Sequence, residues 1–100
     1  MSVNVDLAEL AEHLAAYRFG YLLTVGDTLR VKAVAVTPAL DGGVLVVEGL
    51  GPCTRANLVA RPDISLVWPP VEEGGYTLIL DGHAEATETG AHVTPGHAVL

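Results

Sequence analysis

Gly49-Leu-Gly-Pro-Cys-Thr-Arg-Ala-Asn-Leu-Val-Ala-Arg-Pro-Asp-Ile-Ser-Leu66 is the stretch on which the fold turns. A glycine-flanked turn opens a short helix over about 54–60, and Pro62 ends it because the residue before a proline is pushed out of helical geometry. On either side lie apolar segments that read as strands, 44–50 and 64–68. The helix start has the makings of an anion site. Thr54 can cap or line it, Arg55 supplies a planar donor fork, and the first-turn N–H groups lack helical partners. The spacing equally allows a plainer reading, in which Thr54 and Asn57 settle the helix end and Arg55 is solvated.

Upstream, Asp6 and Glu9 have capping-box spacing, and Leu7, Leu10, Ala11, Leu14 and Tyr17 recur at helical intervals, which predicts an amphipathic helix over 6–17. A strand over 19–25, a turn at Gly26-Asp27 and a hairpin partner over 29–37 follow, with Pro38 ending the pairing. Asp41-Gly42-Gly43 turns the chain into the strand at 44–50. Downstream of the quoted stretch, the segment 69–75 holds two prolines and two glycines and reads as an exposed loop. Strands are predicted over 76–87, bent at Asp81-Gly82, and over 92–100, interrupted at Pro95-Gly96. The expected fold is mainly β: a six-stranded antiparallel split β-barrel with an N-terminal helix and one short inserted helix, closed so that no sheet edge is left open. Leu78 and Leu80 alternate with Ile79, apolar on both faces, as in a strand that fills a barrel and meets a second subunit.

One hundred residues suit a single domain over 1–100. A mean hydropathy of +0.42 is high for so small a soluble domain and points to surface buried against a second copy, a homodimer. Twelve acidic residues against five basic give a net charge of −7, which argues against nucleic acid as a partner. Arg30, Lys32, Arg55 and Arg61 meet only Asp41 and Glu48 between positions 30 and 61, so that segment is net positive and suits a small anion. Cys53 is the one cysteine, which leaves no disulfide framework and makes a reducing cytoplasm the default. No apolar run approaches the length of a membrane span, and the N-terminus lacks a signal-peptide pattern, so no membrane partner is expected.

Phe19-Gly-Tyr-Leu-Leu-Thr-Val25, Val34-Ala-Val-Thr-Pro38, Thr54-Arg-Ala-Asn-Leu58, Pro62-Asp-Ile-Ser-Leu-Val-Trp68 and Tyr76-Thr-Leu-Ile-Leu-Asp-Gly-His-Ala84 stand in an order that resembles the pyridoxamine 5′-phosphate oxidase-like family of flavin-binding split barrels. The resemblance covers nearly the whole chain. It implies a homodimer with a cofactor in each of two clefts between subunits, usually FMN and in some branches the deazaflavin F420. It further implies a phosphate held by Arg30 and Lys32 on the second strand with Thr54, Arg55 and Asn57 at the insert, and backbone groups around Val34 to Val36 facing the ring. Many such proteins carry a second basic residue at or just before the position of Thr54, where this chain has Pro52-Cys53. Family domains commonly continue past the position of Val99-Leu100, so a C-terminal truncation relative to the family is part of the expectation.

Other constellations carry less. His92 and His97, five apart, fall on opposite faces of a regular strand, which disfavours a metal site with His83 unless Pro95-Gly96 shifts the register. Cys53 reads as a small buried side chain in preference to a reactive thiol, and Trp68 as an interface anchor in preference to a ring partner at a cleft mouth. No Gly-x-Ser-x-Gly elbow, P-loop or His-Glu-x-x-His motif is present, so hydrolytic catalysis has no support. Two functional readings follow. One is a flavin-dependent oxidoreductase in which the cofactor does the chemistry and no side chain is assigned a catalytic role. The other is a non-enzymatic split-barrel dimer that has lost the cofactor or only sequesters a nucleotide-like ligand.

Overall fold

Alternating apolar side chains yield, among the described residues, seven antiparallel strands: β1 Gly20–Val25, β2 Val31–Val36, β3 Ala39–Asp41, β4 Val44–Glu48, β5 Asp63–Trp68, β6 Leu78–Ala86 and β7 Gly90–Val99. A short 3₁₀ turn, Leu7–Glu9, leads into α1, Leu10–Leu14, and α2, Pro52–Ala60, lies between β4 and β5. The computed structural model describes residues 2–100. The strands form one curled sheet in the order β2-β1-β5-β6-β7-β4-β3, a mainly β half-barrel of the split-barrel kind.

The strand count is seven where six were expected, because Pro38 turns the chain without ending its pairing. β2 pairs with β1, and the three residues after Thr37-Pro38 pair with β4. The two ends of the sheet are therefore consecutive in sequence. They are joined by a two-residue corner and not by a ladder of hydrogen bonds, so β2 and β3 each keep one open edge. Gly42 and Gly43, both with positive φ, supply the tight turn from β3 to β4.

The N-terminal helix is shorter than predicted. Asp6 Oδ1 accepts the Ala8 N–H at 3.0 Å, but by Ala16 and Tyr17 the amides bond three residues back and the helix has ended. Tyr17 packs against the core and donates its O–H to the Tyr76 carbonyl at 2.8 Å, tying the 69–77 loop down, and its partial burial pushes the phenol pKa up.

Leu22, Leu45, Leu66, Leu80 and Val93, from five different strands, are fully buried on the concave face, each contributing about 1.5–3 kcal/mol by leaving water. Leu58 and Thr54 of α2 are buried against this sheet, the helix packing on β1 and β6. Trp68 lies in phase with Ile64 and Leu66, so it points inward and is 3% exposed, a core residue where an interface anchor was expected. It lies against Gly20, where an added Cβ would sit 3.0 Å from the indole. No helix among the described residues is long and apolar enough to cross a membrane.

Candidate functional site

Period-two alternation sets Lys32, Val34 and Val36 opposite Thr24, Leu22 and Gly20, all toward the concave side. Val36 is buried and Val34 half-buried on the core, whereas Lys32, near the hairpin turn, is exposed. Thr24 is fully buried, and its Oγ1 accepts from Asn57 Nδ2 at 3.2 Å. Lys32 and Asn57 thus both neighbour Thr24, one across the β1–β2 ladder and one through a hydrogen bond, at the hairpin end of this strand pair, one mouth of the half-barrel. Arg61, one helical turn beyond Asn57, places an N–H 3.2 Å from Asp27 Oδ1 in the β1–β2 turn, and exposed Arg30 follows that turn. Arg61 was absent from the expected site, although its i+4 spacing from Asn57 on a helix was visible in the sequence.

The helix start is arranged differently from the expectation. α2 begins at Pro52 with Gly51 as its N-cap, so Thr54 is the third helical residue, 2% exposed and facing the core. Arg55 is two positions from Asn57, roughly 200° around the helix. Its Nε donates to the Leu50 carbonyl at 3.2 Å. Lys32 lies opposite Thr24, to which Asn57 bonds, and Arg30 immediately precedes β2, while Thr54 is buried on the inner side of α2 and Arg55 is engaged with Leu50. Cys53 is exposed, contrary to the buried thiol expected, because the second helical position faces outward here.

The convex face of the sheet carries a second feature. Cross-strand register aligns Ala35, Tyr21, Val67, Ile79 and Val99 in one wholly apolar row, with Tyr21 38% and Ile79 39% exposed. The next row runs Ala33, Leu23, Ser65, Asp81, His97, changing from apolar to polar between β1 and β5. Beside it, Val31 pairs with Val25, and Asp63 pairs with His83, which in turn pairs with Thr94. A groove of about 690 Å³ opens over these last two rows, and none of the six expected site residues lines it. A bulge at Asp81/Gly82 shifts the β6–β7 register, with Gly96 as the extra residue. That shift turns both His92 and His97 to the convex side, which a regular strand would not do. Among the described residues no group of three or more His, Cys, Asp or Glu side chains is arranged to hold a metal ion.

β2 separates the basic mouth from the groove. Gly26 N–H donates to the Arg30 carbonyl at 3.1 Å, and antiparallel alternation from that pair directs the backbone groups of residues 32, 34 and 36 toward β1. The N–H and C=O groups of Val31, Ala33 and Ala35 are left at the open edge. Of the backbone expected to face a ring, Ala35 alone has its polar groups free.

No family model matches the chain. Two uncharacterized proteins, Mb0449c of Mycobacterium bovis and MT0457 of Mycobacterium tuberculosis, are each 47% identical to it over 96 residues, covering 87% of this chain and 68% of theirs. The crystal structure of an FAD-binding protein from Mesorhizobium loti matches with a TM-score of 0.76 and 13% identity, covering 99% of this chain and 94% of that one. At that identity the likeness shows a shared fold.

Proposed function

We propose, from the premise that this chain belongs to the same family as those two uncharacterized mycobacterial proteins, that it is a flavin-binding split-barrel protein and a flavin-dependent oxidoreductase, working as a cytoplasmic homodimer with FMN or F420. The Mesorhizobium protein that shares its fold is described as FAD-binding, which supports a flavin as the ligand class.

The observation that carries the reading is the mouth formed by Lys32, Thr24 and Asn57 beside the open edge of β2. Lys32 has no carboxylate partner among the ion pairs of the described residues, and with Arg30 it supplies charge for a phosphate. Asn57 is oriented by its bond to a buried hydroxyl, and the edge N–H and C=O groups of Val31, Ala33 and Ala35 suit the polar rim of a heterocycle. When bound, a flavin supplies hydride or electron transfer, and the chain's residues bind and orient it. The apolar row through Tyr21 and Ile79 supports a second copy as cover for the convex face. The exposed Cys53 thiol suits a reducing compartment.

Titration of the purified protein with FMN, FAD and F420, followed by flavin fluorescence, tests this. Saturable binding of one of them supports the reading, and failure of all three rejects it. The non-enzymatic dimer remains a second reading because Arg55 is engaged with Leu50, Thr54 is buried and Pro52-Cys53 carry no charge. A dimer that leaves flavin fluorescence unchanged supports that alternative.

A further inference from the structure

We propose that the convex-face groove is a binding site for a small organic cation, a protonated amine on a hydrocarbon body, distinct from the basic mouth on the other side of β2. At about 690 Å³ it has the volume of a small-molecule site. One wall is apolar, made by Leu23, Val25 and Val31, with Val31 65% exposed. The opposite wall is rich in acceptors. Asp81 Oδ1 accepts from Ser65 Oγ at 2.6 Å, and Asp63 Oδ1 lies 3.2 Å from His83 Nδ1, which donates because a carboxylate only accepts.

No lysine or arginine lines the groove, so the two carboxylates have no fixed countercharge there. Each directs one oxygen to a neighbouring side chain and keeps the other for a ligand. Their placement is also specific. Asp63 pairs with His83 and Ser65 with Asp81, which makes Asp63 and Asp81 diagonal neighbours on one face, with Cα atoms about 7–8 Å apart. One ammonium group between them reaches both. Gly82 offers the groove only backbone, because a Cβ there would point the other way, into the buried Val93 and Leu80 side chains. An anion meets two negative charges here and a neutral alcohol leaves both unpaired, while an alkylammonium satisfies the carboxylates and lays its hydrocarbon on the apolar wall.

The test uses the full chain without flavin, at neutral pH and low salt. Three phenyl probes differ only in the head group: 2-phenylethylamine, 2-phenylethanol and phenylacetate. Saturable shifts of the Leu23, Val25 and Val31 methyl and His83 and His97 imidazole NMR signals are expected with the amine, with the alcohol at least about tenfold weaker and the acid without effect. Asp63→Asn and Asp81→Asn, both at exposed positions, should each weaken the amine on the order of tenfold while leaving FMN affinity unchanged. Equal binding of amine and acid, shifts elsewhere on the protein, or unchanged amine affinity in both variants would overturn the proposal. So would groove signals that ignore the amine because a second copy covers them, revealed when Asp81→Asn alters the dimerisation constant. Amine binding is read without flavin, so its failure and the failure of the flavin reading are separate results.

Discussion

Lys32→Ala and Arg55→Ala are expected to fail in different ways, although a sequence reading puts both residues on the same phosphate. Lys32 is exposed at the mouth beside Thr24, whereas Arg55 Nε is committed to the Leu50 carbonyl. A charge-assisted hydrogen bond to a phosphate contributes about 1.5–3 kcal/mol. Exposure puts Lys32 near the lower figure, so Lys32→Ala should weaken FMN binding on the order of tenfold. Raising the salt should narrow that gap, because screening shortens the reach of the lost charge. Arg55→Ala should leave FMN affinity within about twofold and lower folding stability by about 1 kcal/mol, since it unhooks the carbonyl of a buried residue. Flavin fluorescence titration at low and high salt reads the first effect, and urea unfolding reads the second. If Arg55→Ala abolishes binding at wild-type stability while Lys32→Ala binds normally, the assignment of the phosphate to the β2 mouth is wrong.

Three further outcomes follow from other parts of the fold. Gly90→Ala should cost at least about 1–3 kcal/mol in chemical denaturation, because its Cβ would overlap the Val47 carbonyl where β7 crosses β4. Burial raises the Tyr17 pKa, so the unfolded chain gives up that proton first; stability present below about pH 10 should fall as pH rises through the folded pKa. Tyr17→Phe should remove that part of the alkaline dependence in pH-resolved melts. Tyr21→Asp with Ile79→Asp places charge in the apolar convex row and should convert a homodimer to monomer in sedimentation; an unchanged mass would move the interface elsewhere.

Much of the half-barrel was legible because most of its strands are apolar runs bounded by glycine and proline turns. β1, β4 and β5 fall within one or two residues of their expected spans, and the inserted helix lies where Pro62 ends it. β3 was invisible because three residues after a proline give no period, and only pairing with β4 makes them a strand. Trp68 was misplaced although its spacing from Ile64 and Leu66 already put it on the inner side. The division between Arg55 and Asn57 was also available, since residues two apart cannot share a helix face. The groove was not. It depends on register across β1, β5, β6 and β7 and on a bulge that redirects His97, none of which a single strand encodes.

The Thr37-Pro38 corner gives the barrel wall an unequal hinge. β3 is fastened by three register pairs with β4, against six joining β2 to β1. Peeling that short panel breaks few hydrogen bonds and leaves the other six strands in register, so local opening of the sheet should begin at this edge, read as faster amide exchange in β3 than in β2.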